Sequence, residues 1–256
     1  MKLQKPKFWD SSKFSFWVIL FFPISLLFLI FSYIKKLKSQ KKFTIPVICV
    51  GNIYLGGTGK TPLVSEIFKI TKSLGKNPAF VKKYYDYLED EIIMLKKLGK
   101  TFVSKNRIKA IESLIESKND LAILDDGFQD FTISKNLSIV CFNQKQWIGN
   151  GFIIPSGPLR EKLSALKRAH CVFINGKAST EIENEIYKEN KNIKIYYSKY
   201  KPLDIDRFKN KKLIAFSGIG NPANFFNLLR ENNLILKETF YYPDHYNFSK
   251  KELDNL

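Results

Sequence analysis

The chain has 256 residues, 45% of them hydrophobic and 14% aromatic, which excludes an intrinsically disordered polymer and allows a sizeable core spread over two units. Forty-two Lys and Arg against 24 Asp and Glu leave a formal charge of +18, compatible with plain solubility, with nucleic acid or with an anionic membrane surface. Cys49, Cys141 and Cys171 each sit in an apolar run with no metal-ligand spacing, which excludes a disulfide framework and points to buried thiols in a reducing compartment.

The first feature along the chain is the stretch Phe14 to Ile34, FSFWVILFFPISLLFLIFSYI, which carries no charge. It is long enough to cross a hydrocarbon core of about 30 Å. It is too long and too aromatic for a signal peptide, and no small-residue cleavage site follows. Pro23 would kink a spanning helix, so spanning the bilayer and lying in its interface both remain open. Lysines flank both ends and give the C-terminal side only a slight cytoplasmic preference. Residues 1–42 are therefore read as a membrane-anchor helix with basic flanks.

From Ile45 the pattern changes to alternating strands and helices. IPVICV reads as a buried strand, and residues 60–74 as a helix with apolar residues at helical spacing. Between them lies VGNIYLGGTGKTPL. A phosphate-binding loop of the form G-x-x-x-x-G-K-[ST] uses glycines to let backbone N–H groups converge on phosphate oxygens at a helix N-terminus. Gly56, Gly57 and Gly59, with Thr58 among them, supply that backbone, Lys60 reaches the β and γ phosphates, and Thr61 is a Mg²⁺ ligand. Tyr54 stands where the first glycine of the standard loop belongs.

PAFV continues as a strand, followed by helices over EIIMLKKLG and NRIKAIESLIESK, then strands LAILDD, LSIVCF, HCVFIN and IKIYYS. Short apolar β-runs separated by helices predict a parallel sheet covered on both faces, a P-loop-type α/β domain over residues 43–200. Asp125 and Asp126 close the apolar strand LAIL, as the second carboxylate of a nucleotide-bound Mg²⁺ site would; the sequence does not choose between them. His170, at the start of HCVF, reads as structural. The polar run from Lys199 to Lys212 reads as a linker, and LIAFSGIG, a helix from Asn221 and LILKETFYY open a smaller α/β unit in 201–256. Only five cations are arginine, and a planar bidentate fork is the property lysine cannot supply.

VICVGNIYLGGTGKTPLV, LDDGFQD, GNGFIIPSGPLRE and IAFSGIGNPANFFNLLRE together resemble the tetraacyldisaccharide 4′-kinases, the lipid A 4′-kinases of Gram-negative bacteria, over about Phe14 to Tyr246. That family's loop also lacks the first glycine. The resemblance implies transfer of the γ-phosphoryl of ATP to the 4′-hydroxyl of a membrane-embedded disaccharide 1-phosphate. It implies a cytoplasmic site at the bacterial inner membrane, with the anionic bilayer surface as partner and no nucleic acid. Its motifs place Asp90 of LEDEI on the sugar hydroxyl, oriented by His245 of PDHY, with Lys60 completing the catalytic set. Arg107 and Arg160 fall on motifs where either can grip an anionic group, whereas Arg168, Arg207 and Arg230 are read as surface. KQWIGNG reads as a glycine-rich turn beside the site, with Trp147 a candidate for facing lipid. Where the family has SRGY this chain has Lys82-Lys83-Tyr84-Tyr85, with Lys83 in place of the arginine and the following segment shortened; Lys82, Lys83 and Tyr85 can cover the phosphates instead. The family continues beyond the position of Leu256, so the smaller unit is expected to be incomplete or unusually small.

A partitioning or septum-site type ATPase is the alternative with the same GG-x-GKT loop and a membrane helix, but its lysine before the two glycines is Leu55 here. A nucleic-acid module would use the +18 charge, yet the basic residues form no recognisable RNA or DNA motif.

Overall fold

The computed structural model describes residues 5–11, 15–219, 222–242, 246, 248–249 and 252. The chain divides into two compact units, one spanning Pro6–Ser198 and one from Lys199 onward.

The first unit is built on seven strands: β1 (Val47–Gly51), β2 (Pro78–Lys83), β3 (Thr101–Ser104), β4 (Leu121–Asp125), β5 (Leu137–Asn143), β6 (Cys171–Asn175) and β7 (Lys194–Ser198). They hydrogen-bond in the order β3-β2-β4-β1-β5-β6-β7, and every pairing is parallel. Alternate residues of the central strands enter two separate cores, as a sheet covered on both faces requires. Ala122, Leu124, Val140 and Phe142 join one core with Ala110, Ile111 and Leu114 of α4 (Arg107–Glu116) and Ile182 and Ile186 of α5 (Thr180–Glu189). Ile123, Ile139 and Cys141 join the other with Val64 and Phe68 of α2 (Lys60–Ser73) and Leu95 of α3 (Glu89–Leu98). Phe68 stacks on Phe80 with ring centroids 4.5 Å apart, and removing a buried ring of this kind costs about 3–5 kcal/mol.

Two elements go beyond the sequence reading. β3 is only four residues long and partly exposed throughout, so it carries no apolar run to read. α5 buries just Ile182 and Ile186, one turn apart, and starts where the Ser179 side chain accepts from the Ile182 amide. Trp147 does not face outward as expected: its indole N–H donates to Glu185 Oε2 at 2.9 Å and its ring lies 4.7 Å from Phe142. His170 accepts from the Ser138 amide at 3.0 Å, a structural role at the start of β6. The three cysteines are buried.

The apolar helix α1 runs Phe16–Lys36, is long and apolar enough to cross a membrane by length and composition, and has a largely exposed surface. One narrow side is docked. Val18 and Ser25 are each 3% exposed, and Ser25 Oγ donates to Ile153 O at 2.9 Å and lies 2.9 Å from Ser156 Oγ. Ser156 Oγ donates to Val18 O at 3.1 Å. The short segment before α1 is fixed to the same loop, with the Trp9 indole donating to Pro155 O and the Asn150 amide donating to Trp9 O.

The second unit contains β8 (Lys212–Ser217), α6 (Pro222–Glu231) and β9 (Ile235–Tyr241). The two strands pair in parallel, so this is a βαβ unit with α6 as its crossover.

Candidate active site

Parallel pairing brings the C-terminal ends of β1, β2 and β4 to one edge of the sheet. Val50 lies opposite Asp125, and Lys82 lies opposite Asp125 from the other side. Three loops therefore meet there: the one leading into α2, the Asp125–Asp126 corner, and the Lys82–Tyr85 stretch.

The loop from Asn52 to Gly59 is shaped from within. Gly56 and Gly59 adopt φ of 131° and 85°, values that favour glycine. Asn52, fully buried, donates to Gly56 O at 3.3 Å and to Thr58 Oγ1 at 3.0 Å, so Thr58 turns its side chain inward. Gln129 fixes Asn52 in turn by donating to its carbonyl at 2.8 Å. Gly59 is the N-cap of α2 and no side chain caps it, which leaves the first turn, beginning Lys60-Thr61, facing outward as an anion site.

Tyr54 has no part in that cradle. It is fully buried, forms an antiparallel bridge with Leu159, and packs with Ile153, Leu159 and Leu29 of α1. Leu55 N donates to Pro158 O and Arg160 N to Ile53 O, so the SGPLRE segment runs alongside residues 53–55. The backbone here is extended against a second segment instead of curling around phosphate, and a large apolar side chain suits it better than glycine.

Asp126 stands at the centre of the cations. Its amide donates to Val50 O at 2.9 Å, which locks the corner to β1 in a left-handed conformation. Arg160 Nη1 reaches both carboxylate oxygens at 2.9 and 3.0 Å, and Lys60 Nζ lies 3.9 Å away. Burial would raise the Asp126 pKa, but Lys60 and Arg160 outweigh it and hold the carboxyl well below the usual carboxylate range.

Asp125 is fully buried and divided between its two oxygens. Oδ2 accepts from Lys82 Nζ at 2.5 Å, whereas Oδ1 has no hydrogen-bond partner among the described residues. Lys82 is 2% exposed and also pairs with Glu91. Burial disfavours its ammonium, yet the Asp125 and Glu91 carboxylates outweigh that and raise its pKa. Lys82 thus does not cover the phosphates as the sequence suggested. Lys83 does point outward, with its ammonium 5.3 Å from the centre of the Tyr85 ring.

Asp90 is exposed in the first turn of α3, next to Glu91. Arg107 is buried: Nη2 donates to Asp126 O at 2.7 Å and Nη1 pairs with Asp130 at 3.3 Å, so this guanidinium is spent inside the protein rather than held out to a substrate. Arg168, read from sequence as surface, instead grips both oxygens of Glu161 at 3.0 Å and stacks on Phe128 and Phe131. Glu161 is 2% exposed and also meets Lys36 at 3.1 Å and Gln129 at 3.2 Å, which ties the end of α1 to the SGPLRE loop. Asn52, Gln129 and Glu161 were missed by sequence reasoning, whereas Lys82 and Arg168 were given other roles; the first three lie inside the motifs GNIY, DGFQD and PLRE, the signal that could have found them. His245 lies outside the described residues.

The fit to Mg²⁺ rests on Asp125 Oδ1, a buried carboxylate oxygen without a partner among the described residues, together with the Thr61 hydroxyl at the helix start. Mg²⁺ takes one or two protein oxygens and completes its shell with phosphate and water, so two donors suffice. Among the described residues no cluster of three or more His, Cys, Asp or Glu could hold a metal by itself.

The sequence profile of the family described as tetraacyldisaccharide-1-P 4′-kinase matches residues 17–89 and 83–256. A tetraacyldisaccharide 4′-kinase of Pelagibacter ubique is 45% identical over 262 residues, covering 100% of this chain and 82% of the relative. One from Rickettsia canadensis is 36% identical over 275 residues, again with 100% and 82% covered. Among solved structures, LpxK of Aquifex aeolicus in complex with ATP superimposes with a TM-score of 0.68 at 25% identity, covering 91% of this chain and 84% of that one.

Proposed function

Since this chain belongs to the tetraacyldisaccharide 4′-kinase family, whose reaction is 4′-phosphorylation of a lipid A precursor, we propose that its sheet edge performs the transfer with ATP as donor. The loop from Gly56 to Thr61 takes the phosphates on its backbone N–H groups and the α2 N-terminus, and Lys60 neutralises the β and γ phosphates. Arg160 and Lys60 both stand on Asp126, so the carboxylate fixes the two cations in place without a free charge of its own. Thr61 and Asp125 Oδ1 would hold Mg²⁺, which when bound withdraws charge from the phosphoryl group being transferred. The acceptor is the 4′-hydroxyl of tetraacyldisaccharide 1-phosphate. Asp90 receives the hydroxyl proton as the oxygen attacks, and Lys83 contacts the substrate from the neighbouring loop. Arg107 supports this site from behind, through Asp126 O.

The enzyme works at the cytoplasmic face of the bacterial inner membrane, on an anionic surface. What supports an in-plane anchor over a spanning one is the docking of α1: Val18 and Ser25 are bonded to residues 153–156, contacts a helix crossing the hydrocarbon alone would leave behind. The exposed side, from Phe16 and Trp17 to Phe31 and Ile34, then enters the headgroup and acyl boundary.

The observation that carries the reading is the meeting of Lys60, Arg160 and Asp126 at the mouth of the glycine loop. Incubation with γ-labelled ATP, Mg²⁺ and tetraacyldisaccharide 1-phosphate in detergent should place label in the lipid bisphosphate. Hydrolysis of ATP stimulated by self-association, with no label in lipid, would instead identify a partitioning-type ATPase.

A further inference from the structure

We infer that Lys82 is a positioning residue that braces the turn carrying Asp90 against the end of β4. The inference rests on the assignment of Asp90 to the acceptor hydroxyl.

Lys82 is the next-to-last residue of β2, and strand register sets it directly beside Asp125 on β4. A lysine at 2% exposure is unusual, because burying its ammonium is costly unless that charge is fully paired. Here the charge is paired twice, with Asp125 Oδ2 on the sheet and with Glu91 on α3. The Asp125 side of this bridge is fully buried and the Glu91 side is 28% exposed, so the bridge runs from the interior out to the first turn of the helix.

Glu91 follows Asp90 directly, and both belong to that first turn. The apolar anchors of α3, Ile92 and Leu95, hold the body of the helix to the sheet but leave Glu89 and Asp90 exposed. A continuous line of contacts runs from Glu91 in that turn through Lys82 to Asp125 in the interior. Asp126, the next residue, holds Arg160 and Lys60. The acceptor side of the reaction is thereby set at a fixed distance from the donor side. Occupying Oδ2 has a second consequence, since it turns Oδ1 of Asp125 outward from the lysine as the oxygen left for another ligand. Misplacement of a reacting group by about 1 Å can cost about a hundredfold in rate, so a brace of this kind acts on kcat and not on nucleotide binding.

The full chain should be assayed as Glu91→Gln, Lys82→Met, the double variant and Asp90→Asn, with kcat, KM for the disaccharide and equilibrium ATP affinity measured for each. Glu91→Gln is the decisive variant, because it removes one end of the brace at a partly exposed position and leaves the sheet untouched. Its kcat should fall about tenfold to a hundredfold while ATP affinity and melting temperature stay near the parent values. The double variant should be no slower than the slower single one, since both cut the same line. A Glu91→Gln enzyme with parental kcat beside an inactive Asp90→Asn overturns the brace alone. A fully active Asp90→Asn overturns the Asp90 assignment, and the brace falls with it. Loss of activity in Glu91→Gln that merely tracks a fall in melting temperature also overturns it, in favour of a purely structural ion pair.

Discussion

The Tyr54 hydroxyl donates to Asp10 Oδ1 at 2.9 Å, joining the residue that replaces the first glycine of the phosphate loop to the segment just before α1. Burial and the nearby Asp10 carboxylate push the phenol above its ordinary range, so it stays protonated and remains a donor. The apparent defect in the loop is a junction between the nucleotide site and the anchor. Tyr54→Phe should lower stability by about 1.5–3 kcal/mol, the range for a hydrogen bond to a charged group, with ATP affinity unchanged. Tyr54→Gly, which restores the standard loop sequence, should be far worse, losing about 3–5 kcal/mol by opening a cavity beside Leu159 and Ile153. Thermal unfolding of both variants checks this, and a stabilised Tyr54→Gly would refute it.

Asp126 gives a pH prediction. Its folded pKa is depressed, so its contribution to stability is complete above the unfolded carboxylate value of about 4 and is lost as pH falls through the folded value. Acid unfolding followed by fluorescence should therefore be less steep below about pH 4 in Asp126→Asn than in the parent. Arg160→Met should weaken the depression, move the loss of stability to higher pH, and cost about 1.5–3 kcal/mol at neutral pH, the range for hydrogen bonds to charged groups.

Much of this site was legible because its signals are local. The glycine loop, the following helix and the strand ending in Asp125-Asp126 each occupy a few consecutive residues, and a parallel sheet brings such ends together whatever the intervening chain. The roles of the cations were not legible, because they depend on partners far away in sequence. Arg107 and Arg168 changed places: the first turned inward onto Asp126 O and Asp130, and the second found Glu161 and two phenylalanine rings. Lys82 and Lys83 are adjacent and chemically identical, and alternation along β2 sends one to Asp125 and the other toward Tyr85. Only the β2–β4 register, a pairing across 43 positions, decides which is which. β3 escaped notice for a similar reason, as an edge strand without an apolar run.

The thiols should be inert in the folded protein. Burial pushes Cys49 and Cys141 up to about 12 and Cys171 up to about 11, so the reactive thiolate is scarce at neutral pH. An alkylating reagent at pH 8 should label none of the three within the time that labels all of them in denaturant, as read by intact mass. Rapid labelling of Cys49 in the native protein would mean that the core beneath the glycine loop opens.

The docked side of α1 predicts the depth of the anchor. Leu27 lies near the middle of the helix and is 58% exposed, on the opposite account from Ser25, which is 3% exposed and bonded to Ile153 O. If α1 crossed the bilayer, its midpoint would sit near the centre of a core about 30 Å thick. If it lies in the plane with its docked side toward the protein, that midpoint sits about 5–10 Å below the surface. A Leu27→Trp variant bound to anionic vesicles should therefore be quenched best by lipids brominated high on the acyl chain, with little effect from bromines near the terminal methyl. The probe is placed in a Trp17→Phe background, because Trp17 is itself 50% exposed on α1; Trp9, buried against Pro155, and Trp147, held by Glu185, are then a fixed background. Strongest quenching from the deep bromines would assign α1 to a spanning orientation. Replacing Ser25 with Leu should loosen the docking at Ile153 and Ser156 and shift the Leu27→Trp probe deeper, because the helix would then lose the polar contacts that hold it at the surface.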